Sequence, residues 1–135
     1  NGYDLHNSIV LKAHWVDALI DHSDFQTALT IINAELSDRR WKSSWLIRRA
    51  QAYQGLHQED QATADLQETL TEISLRLHPD KPDPLLLADQ AMANAVLGNQ
   101  SAAQKSLQDL EVNKTPHWIT TRLKKILEKP LPLIE

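Results

Sequence analysis

Between Ser43 and Arg76 the apolar residues recur at helical spacing in two consecutive runs. Leu46, Ala50 and Tyr53 mark the first, and Ala62, Leu66, Leu70 and Ile73 the second, across a short Gly/His/Gln link. This pattern predicts helices over about 43–55 and 58–77. Upstream, Trp15, Val16, Leu19 and Ile20 mark a helix over about 9–21, with Asn7 or Ser8 as its cap. Ser23-x-x-Gln26 reads as a capping box opening a helix through Leu36, with Phe25, Ala28, Leu29, Ile32 and Leu36 on its buried stripe. Prolines from Pro79 to Pro84 must interrupt helix, because each removes a donor and pushes its predecessor out of the helical region. Asp83 then caps, and Pro84 occupies the first turn of a helix ending near Gly98. Asn99 caps the next, to about residue 113, and a seventh helix is expected over about 117–129. Its apolar face is Ile119, Leu123, Ile126 and Leu127, and the tail PLPLIE reads as extended. Alternating segments bounded by Gly turns are absent, so the expected class is all-α.

The runs repeat. A shift of 34 residues carries Val16, Leu19, Ala28 and Ile32 onto Ala50, Tyr53, Ala62 and Leu66. A further shift of 41 carries Ala50, Ala62 and Leu66 onto Ala91, Ala103 and Leu107, the surplus falling in LHPDKPDP. In every copy two short side chains stand 12 apart and a larger aliphatic follows the second by four. Short side chains at that offset allow two antiparallel helices to approach closely.

Paired helices at this period, with Ala28-x3-Ile32, Ala62-x3-Leu66 and Ala103-x3-Leu107 and aromatics at Phe25 and Tyr53, resemble the tetratricopeptide repeat family. Gly98 fits that family's inter-helix turn. Departures include Arg49 where the family has an apolar first-helix residue, polar Gln90 and Asn94, and the lack of repeat-ending prolines apart from Pro116. The length suits one domain, 1–135, and the resemblance, which covers about 9–117, implies an α-solenoid of three antiparallel hairpins (about 9–42, 43–76 and 84–117). A C-terminal helix over about 116–129 would close its last apolar face.

Composition narrows the function classes. The 135 residues carry 14 basic and 18 acidic side chains, a net charge of −4 that disfavours a nucleic-acid binder relying on phosphate neutralisation. Cysteine is absent, which removes disulfides and thiolate chemistry. No apolar run approaches the ~20 residues of a membrane span. No targeting segment stands at either end, so a soluble domain, cytoplasmic or periplasmic, is expected. The first residue is Asn, so the chain reads as an excised or processed piece of a longer protein.

Candidate chemistry is sparse. His14, Asp17 and Asp21 share a helix face near His22 and Asp24, but without the spacing that aims two imidazoles at one ion, so no tight metal binding is expected. No nucleophile elbow, glycine-rich phosphate loop or distinct carboxylate pair is present, and neither enzymatic activity nor a cofactor is expected. Four tryptophans against one phenylalanine is unusual. Trp15 and Trp118 are expected to pack between helices, and Trp41 and Trp45 flank the junction of the first two copies.

In the family it resembles, the first helices of successive hairpins line a concave surface that binds a peptide or a partner's helix. Carried over, that surface takes Val10, Ala13, Asp17 and Asp21, then Ile47, Arg48, Gln51 and Gln54, then Ala88, Asp89, Met92 and Val96; Trp41, at the link, is a separate candidate, as an anchor for a ligand side chain. One subclass clamps a C-terminal carboxylate. Here the corresponding positions are Ala13, Asp17, Arg48, Leu85 and Asp89, of which only Arg48 is cationic. A basic or mixed ligand therefore fits better than an acidic terminus. The expected role is a protein–protein interaction module. Rival readings are a ligand-sensing domain with a pocket at Trp41 and Trp45, or an oligomerisation unit acting through self-association.

Overall fold

The computed structural model describes residues 2–78, 80, 83–112, 121 and 124, with side chains over 11–78, 80, 83–108, 121 and 124. Among these the chain is all-helical: α1 (Gly2–Asp21), α2 (Phe25–Leu36), α3 (Ser43–Gly55), α4 (Glu59–Arg76), α5 (Pro84–Leu97) and α6 (Gln100–Val112). Each helix packs on the next, and α3 also packs on α1 and on α5. The expected seventh helix, with Trp118, lies outside the described residues except for Thr121 and Lys124, which are helical.

The connections within α1–α2, α3–α4 and α5–α6 are one turn used three times. Ser23 (φ 65°), His57 (φ 63°) and Gly98 (φ 90°) each adopt the left-handed conformation just past a helix end. The next residue's N–H reaches back five positions: Asp24 to the Leu19 carbonyl, Gln58 to Tyr53, Asn99 to Asn94, each at 2.8 Å. This is the hydrogen bond of a Schellman ending, which satisfies a carbonyl the helix would otherwise leave open. The three left-handed residues are themselves separated by 34 and 41, the same shifts that relate the apolar positions.

That turn corrects one expectation. Ser23 is not the N-cap of a capping box; it is the left-handed residue that ends α1, and Asp24 occupies the N-cap position of α2 without a side-chain cap bond. A second correction concerns α1, which begins at Gly2 and so contains Asn7 and Ser8 as interior residues. Neither proline nor glycine occurs between Tyr3 and Ser8, so nothing local stops the helix there.

The core follows the repeat. Val16, Ala28 and Ile32 share one buried cluster with Leu36, Trp45 and Leu46. Ala50, Ala62 and Leu66 share a second with Ile47, Ala93 and Val96. Ala91, Ala103 and Leu107 share a third with Ala88 and Ala95. All nine repeat positions are buried, eight of them at 0–1% exposure. Filling each site with a short side chain lets neighbouring helices come close, while the aliphatic four residues on removes about one side chain's worth of apolar surface from water, about 1.5–3 kcal/mol each. A close approach also explains Gly55, where an added Cβ would collide with the Phe25 ring of α2.

Trp45 fills the wedge between the first two helix pairs, 2% exposed. Trp15 does not pack in that way. It is 55% exposed, one turn from Leu11 at 68%, because α2 and α3 cover the Val16, Leu19 and Ile20 side of α1 and leave the Trp15 side uncovered. Arg49, the polar departure from the family pattern, is accommodated by ion pairing. Its guanidinium donates to both carboxylate oxygens of Asp65 on α4, each at 2.8 Å, and to Asn33 on α2 at 3.0 Å. That pair raises the Arg49 pKa above its ordinary value, through the hydrogen bonds to Asp65, against the cost of burial.

Candidate functional site

The α1–α3 and α3–α5 contacts bring polar side chains from three helices into one row. Arg48, on the middle turn of α3, donates from Nε to Asp17 Oδ1 at 2.9 Å and from Nη2 to Asp17 Oδ2 at 3.3 Å. A further Arg48 nitrogen donates to the Ser44 carbonyl at 3.2 Å, and the guanidinium lies 5.3 Å from the Trp45 ring centroid. Across α3, the buried Ser43 hydroxyl donates to Asp89 Oδ2 on α5 at 3.4 Å. At the other end of α3, the Gln54 amide donates to the Val96 carbonyl at 2.9 Å and ties α3 to α5 again.

Asp89 is the perturbed group of this row. Burial pushes its carboxyl up to about 6, against the pull of Arg48, the Ser43 hydroxyl and Arg76, while Glu72 adds to the upward push. A carboxylate held partly out of water beside a cation already engaged by Asp17 favours a further positive charge in front of it.

A second polar assembly sits at the start of α3. Lys42 and Ser43 have no side-chain cap of their own; instead Glu72, near the end of α4, accepts from the Lys42 N–H at 2.9 Å and the Ser43 N–H at 3.0 Å. An anion there both fills open donors and faces the positive end of the helix dipole. Arg76, one turn on, donates to Glu72 at 3.1 Å and stacks on Trp41 with its guanidinium carbon 4.4 Å from the ring centroid. Arg40 stacks on the same ring at 4.8 Å. Trp41 remains 47% exposed between them.

The residues expected to line a binding surface divide accordingly. Asp17, Arg48 and Asp89 are brought together, with Gln54 bonded to α5. Gln51 is half-buried, and Asp21 is exposed at the last residue of α1. Met92 is half-buried against two core clusters. Ile47 is interior at 3% exposure, as are Ala88 and Val96, so these three present no surface to a partner. Trp41 lies beside Arg76 and Arg40 and is exposed, whereas Trp45 is in the core. Ser43, Glu72, Arg76 and Arg40 were not expected in any site. The i, i+4 spacing of Glu72 and Arg76 and the run Arg39-Arg40-Trp41-Lys42 were the available signals.

Among the described residues no group of three or more acidic or histidine side chains is placed to hold a metal ion, and no helix is long and apolar enough to cross a membrane. Compared with family models, curated proteins and solved structures, the chain matches none significantly.

Proposed function

We propose that this chain is a protein–protein interaction module of tetratricopeptide type, which binds a peptide or helix of a partner and carries out no reaction of its own. In this reading residues 1–135 form one domain of three stacked helical hairpins, over about 9–42, 43–76 and 84–117. The identical turns at Ser23, His57 and Gly98 and the contacts of α3 with α1 and α5 support the stack. Successive first helices α1, α3 and α5 then share the recognition face.

One observation carries the functional reading: Arg48 of α3 is held by both oxygens of Asp17 of α1, and beside it Asp89 of α5, within electrostatic reach of Arg48 and Arg76, keeps part of its surface open to water. A lysine or arginine of the ligand would face Asp89, and Gln51 and Met92 would supply the polar and apolar contacts alongside. Such a ligand is basic or of mixed charge. An acidic C-terminus is disfavoured, since the Arg48 fork is occupied by Asp17.

The test is fluorescence anisotropy with a peptide array that varies lysine and arginine content at constant length. Binding should require at least one basic residue and weaken about tenfold or more on Asp89→Lys, as expected for reversing a charge in a partly desolvated contact. Equal affinity for basic and uncharged peptides, or no change on Asp89→Lys, would remove the reading.

A further inference from the structure

The exposed ring of Trp41 is held in a frame that adjoins the α1–α3–α5 row. Its position is fixed from α4: Glu72 binds the backbone of Lys42 and Ser43 and also Arg76, and Arg76 stacks on the ring. Arg40 covers the ring from the loop at 4.8 Å. A guanidinium stacked on an indole keeps its in-plane N–H fork directed away from the ring, where it can meet a carboxylate in two parallel hydrogen bonds.

The charges around this ring are unequally engaged. Arg39 is paired with Glu35 at 2.9 Å and Arg76 with Glu72 at 3.1 Å. Arg40 and the Lys42 ammonium form no ion pair among the described residues. Asp38 is the nearby exposed carboxylate in sequence, Arg39 and Glu35 pair with each other beside Trp45, and Asp89 is within electrostatic reach of Arg76 and Glu72, so Arg40, Lys42 and Arg76 stand against Asp38, Glu72 and Asp89. Within that even balance the two cations without an ion pair among the described residues, Arg40 and Lys42, flank the exposed Trp41 in the chain.

We infer that the Arg40–Trp41–Lys42 surface, braced by Arg76 and Glu72, is a docking site for an acidic peptide segment, which pairs its carboxylates with Arg40 and Lys42 and packs an apolar side chain against the part of Trp41 that the two guanidiniums leave exposed. The frame is already assembled, so little ordering is required when the segment binds. Trp and Arg at the centre of a contact are the residue types that most often dominate binding energy. The site deepens the proposed function by making the ligand bipartite: a basic residue at Asp89, and an acidic stretch at Trp41 on the neighbouring loop. Ser43 connects the two, adjoining Lys42 in the chain and bonded to Asp89.

The test uses a fluorescein-labelled peptide of alternating Glu and Leu, with a Gln/Leu peptide as control, titrated by anisotropy against the whole chain. The Glu/Leu peptide should bind and the control should bind at least about tenfold more weakly. Arg40→Glu should abolish the difference, and Trp41→Ala should weaken binding about tenfold, with Trp41→Phe recovering part of it. Far-UV circular dichroism confirms that the variants remain helical, as expected for residues on an exposed loop. Affinity should fall in about 1 M salt, where the Debye length shrinks to ~3 Å. Arg40→Glu should not weaken the binding of basic peptides at Asp89, which separates failure of this site from failure of the α1–α3–α5 row. Indifference to Arg40→Glu, equal binding of the control peptide, or tighter binding of single-stranded RNA than of the acidic peptide would each overturn the inference.

Discussion

Replacing Asp89 by Asn tests the electrostatics at the centre of the molecule. The native carboxyl titrates at about 6, above its ordinary 3.8, because burial penalises the charged form more than Arg48, Ser43 and Arg76 reward it. Between those two values the folded chain holds more protons than the unfolded chain. Stability therefore falls as pH rises from about 4 through about 6, and the loss is complete above the folded value. The upper bound is a little over two pH units at 1.36 kcal/mol each, about 3 kcal/mol. Asp89 keeps part of its surface in water, so about 1–3 kcal/mol is the expected range.

Asparagine has no charge to desolvate and keeps an acceptor for the Ser43 hydroxyl. Asp89→Asn should thus be more stable than the native chain by about 1–3 kcal/mol at pH 7.5, and nearly equal to it at pH 4. For a chain of this size each kcal/mol moves the melting temperature by roughly 3–5 °C. The assay is urea denaturation of both proteins at half-unit steps of pH, read as a difference so that the other titrating groups cancel. Glu35 is one such group. Hydrogen bonds from Lys12 and Arg39 lower its pKa, so its stabilisation is present above its ordinary 4.5 and is lost as pH falls through the lowered value. A difference profile that is flat between pH 4 and 7.5, or a destabilised Asp89→Asn at neutral pH, would refute the account. The same variant should lose affinity for basic peptides, as expected where a binding group is kept at a cost in stability.

Arg49→Ala should destabilise the fold by about 2–4 kcal/mol, measured by urea denaturation at pH 7, because it strands the Asp65 carboxylate at 5% exposure. Adding Asp65→Leu should recover much of that loss; a double variant as unstable as the single one would count against it. His57→Gly should stabilise by about 0.5–1 kcal/mol, since only glycine occupies the left-handed region without a steric cost. A lowered melting temperature for His57→Gly would show that the imidazole makes compensating contacts.

How much of this molecule could be read from residues alone is clearest at the repeat positions. Val16 with Ala28, Ala50 with Ala62 and Ala91 with Ala103 were paired by spacing, and each pair shares a buried cluster. The proline-rich break, the Asp83 cap and the Pro84 first turn were equally visible, and Leu85 N–H does donate to Asp83 Oδ1 at 2.8 Å. These features are set by chain-local physics: side-chain volume at fixed helical offsets, and backbone donors that proline removes.

Ser23 is the exception, although its spacing from His57 and Gly98 marks the turn. A serine before a helix satisfies the N-cap preference, and only the backbone bond from Asp24 to Leu19 shows that the preceding helix uses it as an ending. Trp15 and Trp45 have the same ring but opposite fates. Which of them is covered depends on where α3 lies against α1, and no helical period states that. Glu72 capping α3 from α4, Arg48 held by Asp17, and Trp41 stacked by Arg76 all join residues about thirty or more positions apart. Sequence specified the helices and their small-residue seams because those depend on neighbours a few residues away. Tertiary structure decided which charges meet, because ion pairing depends on distance in space and on how much water the packed helices leave around each group.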